Sequence, residues 1–527
     1  MSYLQKKLYQ SFSNHKDLKA ISVRNKEYSY KELLNFCYAF ETALSDHAPD
    51  RVAILGDRSI TSYVGVAYSL FSGTTYVPIN PSFPDKQNRN IIQLSDCNTI
   101  IFDITSWQTI LPIISKIEEP LTLLTFEYED NFESQISKIK QDLENSIHTL
   151  CIASPDNKNE ASLSEIAEND LLYILFTSGT TGTPKGVPIS HSNVEHYLEG
   201  LSDILHLSSD DRFTQVFDLT FDLSMHDIFL SWSVGGCLCI PARMELIAPK
   251  KYIEREQISV WFSVPSAVAI MKQMNLLEPG NYPKIRYGLF CGEALPASLA
   301  KAWLEAAPNS QVINLYGPTE ATIAFTQYEY KNASQTNYIN GVVPIGWPFG
   351  NNKAMVCDDN LEPVSKGEKG ELCLSGEQIT PGYLNNEEMN KARFFVDHKT
   401  NAKWYRTGDL VFFSDEDGYI YLDRLDNQVQ ILGYRVELAE IENVLRTLSG
   451  SEHVAAIPWP ISDGCAQGIV SFIVKPAIPT DMIKEKCKLE LPHYKLPSSI
   501  HILDIMPLNS NGKIDRNKLK QYLMENK

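Results

Sequence analysis

Short apolar runs rich in β-branched residues alternate with helical patterns through most of this chain, and that alternation limits the folds open to it. "RVAILG" (51–56), "NTIIFD" (98–103), "LLYILFT" (171–177) and "SVWFSVP" (259–265) read as buried strands. "YVGVAYSLFSGTTYVPI" (63–79) reads as a helix ended near Gly73 and followed by a strand. Strands that are apolar throughout, separated by helical segments, indicate an α/β protein with largely parallel sheets flanked by helices. The polar stretch from Glu127 to Asp170 interrupts the pattern and reads as a surface insertion or edge connection. After about Asp423 the character changes. "QVQILGYRVELAEIENVLRTL" gives a strand, a turn at Gly433 and an amphipathic helix, and "VAAIPWP" and "GIVSFIVKP" add strand-like runs. We therefore expect a large core at 1–425 and a small α+β domain at 426–527.

The net charge of -18 argues against a nucleic-acid partner, which would want a basic face. No apolar run approaches a membrane span, and the first residues lack a signal-peptide core. The 10 cysteines are scattered without a CxxC, so free, mostly buried thiols in a reducing cytoplasm are expected, and their spacings do not suggest zinc.

The stretch "FTSGTTGTPKGV" leaves the strand 171–177 with three glycines, Gly179, Gly182 and Gly186, among hydroxyls. Glycines free to take positive φ let successive N–H groups turn inward as an anion nest. Thr177, Ser178, Thr180, Thr181 and Thr183 add hydroxyls and Lys185 adds a charge. This is not the P-loop of NTPases, since Pro184 precedes Lys185 and Gly186 follows it.

This loop closely resembles the phosphate loop of the adenylate-forming superfamily, which holds acyl-CoA synthetases, peptide-synthetase adenylation domains and luciferases. Further segments resemble that family in order over nearly the whole chain: "FCGEALP" (290–296), "NLYGPTEATIA" (314–324), "YRTGDL" (405–410), "LDRLDNQVQILGYRVELAEIE" (422–442) and "PLNSNGKIDRNKL" (507–519). The resemblance implies ATP and Mg²⁺ as cofactors and assigns roles. Gly292 and Glu293 would line the nucleotide and substrate pockets. Asn314 would bond the adenine edge, Tyr316 would stack on adenine beside Gly317, and Thr319 would touch the α-phosphate. Glu320 would hold the metal, Asp409 would accept from the ribose hydroxyls, and Arg424 would sit near ribose or phosphate. Asp426 would be the hinge of a mobile C-terminal lid, and Lys513 the catalytic lysine, acting with Thr319 and Glu320. Three positions depart from the usual pattern: Asp423, Gln430 and Ala439.

"FDLSMHD" matches the form seen in amino-acid-activating members, where the aspartate, here Asp222, pairs with the substrate ammonium. Capping of the following helix is the structural alternative, and Asp218 could share either role. The implied pocket is Asp222, Leu223, His226, Phe262, Leu289, Cys291, Leu315, Ile323 and Ala324, small and apolar apart from one histidine. It most resembles the pockets of stand-alone prolyl activators, so L-proline is the expected substrate, with alanine, D-alanine included, next. His226 either contacts substrate or is a packed imidazole. The chain ends 14 residues after Lys513 with no carrier serine motif, so the expected acceptor is the phosphopantetheine of a separate carrier protein. A coenzyme A ligase for a small acid and a non-catalytic ATP-binding regulatory protein are the alternatives.

Overall fold

The computed structural model describes residues 2–526 except 57, 128–131, 156–164, 178–183, 332–337, 427 and 509–513. Its alternating runs form two sheets. One has seven strands in the order Thr149–Ala153, Thr122–Phe126, Thr99–Phe102, Arg51–Leu55, Thr75–Ile79, Leu171–Thr177, Lys185–Ser190, parallel except for the last pair. The helix Ile60–Ser72 ends where Gly73 takes φ 81°, the left-handed cap the sequence pointed to, and the chain returns at once as the strand Thr75–Ile79. The polar stretch after Glu127 includes a helix, Phe132–Asp142, and the edge strand Thr149–Ala153, so it extends the sheet as an edge connection.

The second sheet has nine strands. Its central members Val260–Ser263, Tyr287–Phe290 and Gln311–Tyr316 are parallel and almost wholly buried, as expected when both faces are covered. A single apolar cluster containing Tyr76, Tyr173, Leu223, Phe262 and Leu289 joins the two sheets. In such folds ligands bind at the carboxyl ends of the strands. Here those ends deliver Cys291–Glu293 and Gly317–Glu320 to one crevice.

A five-stranded, largely antiparallel sheet follows. Within it Asp409 on Lys403–Ser414 stands opposite Arg424 on Gly418–Arg424. Beyond it, Gln428–Ile431 and Tyr434–Glu437 form a hairpin, where the sequence had suggested one strand before the helix. Leu432 (φ 49°) and Gly433 (φ 84°) make its two-residue turn, whose positive φ pair matches the twist of the strands. The three-stranded sheet of Val454–Pro458, Ile469–Val474 and Ser499–Leu503 carries one apolar cluster on each face. The helices Leu438–Ser449 and Thr480–Glu490 cover one face, and the helix Arg516–Glu525 covers the other.

Candidate active site

The strand ends build a cavity of about 290 Å³ lined by Gly292, Glu293, Asn314, Tyr316, Gly317, Asp409 and Arg424. A second, of about 100 Å³, is lined by Thr177, Asp222, Leu223 and Thr319 and also touches Gly292 and Gly317. The two spaces therefore share a glycine wall. Gly317 has a steric reason to be glycine, because a Cβ there would lie 2.6 Å from the Ala324 Cα.

In the larger cavity the Tyr316 hydroxyl donates to Asp409 Oδ2 at 2.5 Å, and Arg424 donates to Asp409 Oδ1 at 2.8 Å. Arg424 also holds Asp426 at 2.6 Å, so the expected ribose and hinge carboxylates share one guanidinium. Asn314 is buried and donates to the carbonyls of Val343 and Pro344. Glu293 is tied to Ser266 and to the Gly433 N–H of the hairpin turn, so it joins the C-terminal hairpin to the core.

Glu320 is fully buried. One carboxylate oxygen accepts from the Tyr383 hydroxyl at 2.6 Å, and the other faces Arg435 of the hairpin at 3.2 Å. Burial pushes its pKa up, but Arg435, the Tyr383 hydroxyl and Lys185 outweigh that and hold it below the ordinary carboxylate range. Lys185 opens the strand Lys185–Ser190, buried, with its ammonium 5.5 Å over the Tyr383 ring. Burial lowers its pKa, against the pull of Glu320. A single buried carboxylate can serve a hard cation that arrives on nucleotide phosphates and keeps waters, but here Arg435 occupies that role. Glu320 fits that description once Arg435 is withdrawn.

Asp222 stands at the N-terminus of the helix Leu223–Val234, yet its side chain does not cap it. Burial raises its pKa to about 7, against the lowering pull of the neighbouring Thr319. A buried carboxylate left with spare acceptor capacity is suited to a cation in the small cavity. Asp218 instead accepts from the N–H and hydroxyl of Thr220, closing a local turn. Behind Asp222 the remaining expected pocket residues, His226, Phe262, Leu289, Cys291, Leu315, Ile323 and Ala324, belong to the buried cluster between the sheets. His226 Nδ1 lies 2.5 Å from the Tyr197 hydroxyl, and burial takes its pKa down to about 3, so it is a neutral imidazole.

Ser178, Gly179, Thr180, Thr181, Gly182 and Lys513 lie outside the described residues. Leu508 and Ile514, which flank the segment of Lys513, pair with each other, and Ile514 packs on the face of the three-stranded sheet opposite the hairpin. Sequence reasoning missed Tyr383, Arg435 and Tyr197. Arg435 stood inside a quoted motif without a role, whereas Tyr383 and Tyr197 carried no local signal.

The profile of the AMP-binding enzyme family, described as "AMP-binding enzyme", matches residues 8–384. Gramicidin S synthase 1 of Brevibacillus brevis is 30% identical over 479 residues, covering 89% of this chain but only 40% of that relative's length. The D-alanine–D-alanyl carrier protein ligase of Bacillus velezensis is 28% identical over 550 residues, covering 98% of this chain and 100% of the relative. Among solved structures, the Vibrio cholerae adenylation domain AlmE in complex with glycyl-adenosine-5'-phosphate superposes with a TM-score of 0.92 at 30% identity, over 100% of this chain and 98% of that one. With most of its length matched, and with a nucleotide-sized cavity at the ends of its parallel strands, the chain belongs to the AMP-binding enzyme family.

Proposed function

We propose that this enzyme activates a small amino acid with ATP as an aminoacyl adenylate and passes the acyl group to the phosphopantetheine thiol of a carrier protein. The observation that carries this reading is the position of Asp222. Its carboxylate opens on the small cavity beside Thr319, where an α-ammonium would neutralise it and the substrate carboxylate would face the nucleotide side. Fatty and aryl acids bring no such cation. The full-length likeness to a D-alanyl carrier protein ligase and the likeness to a domain holding glycyl-adenosine-5'-phosphate support it. The residue types of the pocket suit L-proline, and alanine of either hand is the nearest alternative.

In the first half-reaction a carboxylate oxygen attacks the α-phosphorus of ATP and pyrophosphate leaves. Three anionic groups must be brought together, so the residues proposed for this step are largely cationic or hydroxyl-bearing: Lys185, Arg424, Thr319 and Lys513. Mg²⁺ held by Glu320 would neutralise phosphate oxygens. In the second half-reaction a thiol, giving up its proton, attacks the acyl carbonyl and AMP leaves. We assign the arrangement described here to that later stage. The hairpin is seated in the crevice through Gly433 and Arg435, while the flank of the Lys513 segment packs on the far side of the C-terminal sheet. Asp426 is the proposed pivot between stages. Amino-acid-dependent ATP–pyrophosphate exchange across the proteinogenic amino acids, both alanines and several fatty and aryl acids tests the reading. Exchange only with acids lacking an amino group would move the enzyme to the coenzyme A ligases.

A further inference from the structure

The connection that carries Thr319 and Glu320 runs through strained backbone. The strands Gln311–Tyr316 and Thr326–Glu329 pair antiparallel, so the chain between them must reverse within a few residues. One turn of 3₁₀ helix, Thr319–Ala321, holds Thr319 at the wall of the 100 Å³ cavity and Glu320 buried beside it. The next two residues, Thr322 and Ile323, take φ of 56° and 72°. Both are β-branched, and left-handed backbone is an outlier for such side chains. The Ala324 N–H then donates at 2.9 Å to the Thr322 carbonyl, two residues back. With Ile323 at positive φ between them, this is the rare and strained form of the γ-turn. It folds Ala324 back against Gly317, the wall that the two cavities share.

Strain of this kind persists only where the surroundings over-determine it. Gln378 does so here. Its side chain is fully buried and comes from a segment 54 to 57 positions further along the chain. Its amide nitrogen donates to three carbonyls, those of Ala321 at 3.2 Å, Thr322 at 3.3 Å and Ala324 at 2.8 Å. The amide thus grips the chain on both sides of Ile323. Its oxygen accepts from Asn352 Nδ2 at 2.5 Å, which fixes which end of the amide faces the turn. Two further bonds dock the same segment. The Thr322 hydroxyl donates to the Gln378 carbonyl at 2.6 Å, and the Thr380 N–H donates to the Glu320 carbonyl at 2.9 Å.

We propose that Gln378 is a positioning residue: its amide holds the strained γ-turn closed, and the closed turn keeps Thr319 and Glu320 aimed into the crevice. The inference rests on the reading of Thr319 and Glu320 as the α-phosphate and metal residues. Gln378 lines neither cavity, so it acts through the turn and not on the nucleotide. Without it, Thr322 and Ile323 relax toward negative φ and the residues just before them turn away.

The test is ATP–pyrophosphate exchange by the full chain carrying Gln378→Met or Gln378→Glu, followed against Mg²⁺ concentration. Methionine keeps the length and loses both donors, and glutamate sets a carboxylate against three carbonyls. The exchange rate is expected to fall by about 10²-fold, as for misplacement of reacting groups by about 1 Å. The Mg²⁺ concentration giving half-maximal exchange is expected to rise with it. Thr322→Gly added to Gln378→Met is expected to recover much of the loss, because glycine accepts positive φ without a clamp. A purely structural role for Gln378 gives no such recovery, since glycine adds no packing. Asn352→Ala, which only frees the amide to turn, gives the same direction in milder form where Gln378→Met does not fold. Unchanged exchange and Mg²⁺ dependence in Gln378→Met would overturn the proposal, as would a loss that Thr322→Gly leaves in place. Glu320→Gln measured alongside separates two failures. A metal requirement unchanged in Glu320→Gln removes the reading beneath the proposal, whereas one that rises there but not in Gln378→Met removes Gln378 alone.

Discussion

Arg435, on the second strand of the C-terminal hairpin, ends 3.2 Å from the buried carboxylate of Glu320, a residue 115 positions earlier in the chain. The pair joins the hairpin to the residue proposed to hold the metal, so on that proposal Arg435 and Mg²⁺ would be alternative partners of one carboxylate. Arg435→Ala leaves Glu320 buried without that partner only while the hairpin is seated. The expected result is that pyrophosphate exchange is kept while carrier loading falls. Loss of a charged hydrogen bond of about 1.5–3 kcal/mol corresponds to roughly 10- to 100-fold. Equal losses in both half-reactions would show that Arg435 acts on the nucleotide instead.

Glu320→Gln keeps the shape and removes the charge. The Tyr383 hydroxyl can still donate to the amide oxygen, so the fold should hold and the melting temperature should move little. The Mg²⁺ concentration giving half-maximal exchange should rise by about tenfold or more, as for loss of one charged contact. An unchanged metal requirement would remove Glu320 from that role.

The pKa of Asp222, raised by burial to about 7, puts its titration inside the working range. Besides burial, Glu320 pushes it up, while Thr319 and Arg435 pull it down. Only the carboxylate pairs with an ammonium, and a raised pKa means the empty site is partly protonated at neutral pH. The value of kcat/KM for the amino acid should therefore rise between about pH 6 and 8 and level off above. Asp222→Asn should abolish that limb and reduce exchange by about 10²-fold or more, as expected for an ion pair lost in a dry site. A pH profile that survives in Asp222→Asn would place the titration elsewhere.

The parts of this site that lie in continuous motifs were legible before folding. Tyr316, Asp409 and Arg424 meet around one cavity because each motif ends or flanks a strand, and strand ends converge. The α/β alternation worked for the same reason: buried parallel strands are apolar along their whole length. What was not legible came from distant packing. Tyr383 reaches Glu320 across 63 positions and Tyr197 reaches His226 across 29, and nothing in their own neighbourhoods marks either contact. Of the expected pocket residues, Asp222 and Leu223 line the small cavity and the others lie buried behind them. How tightly His226 and Phe262 close on each other depends on braces from Phe217 and Tyr197, which a reading of residue types could not weigh.

Arg424 is bonded at once to Asp409, to Asp426 and to Gln428, and Asp426 is shared with Arg393. Burial alone would raise the pKa of Asp426, yet Arg424 holds it below the ordinary carboxylate range. Such a folded-state depression stabilises the seated arrangement above the unfolded pKa and is lost as pH falls through the folded value. Arg424→Lys keeps a charge but cannot span three acceptors with one planar fork. It should weaken ATP binding and loosen the segment around Asp426 together. The measurements are KM for ATP, expected to rise by about 10-fold for loss of one charged contact, and hydrogen exchange over residues 423–437, expected to quicken. Arg393→Ala removes only the outer partner of Asp426, at 3.4 Å, so it should quicken exchange there while leaving KM for ATP nearly unchanged. If both variants raise KM equally, the pivot and the nucleotide site are one unit rather than two that share a guanidinium.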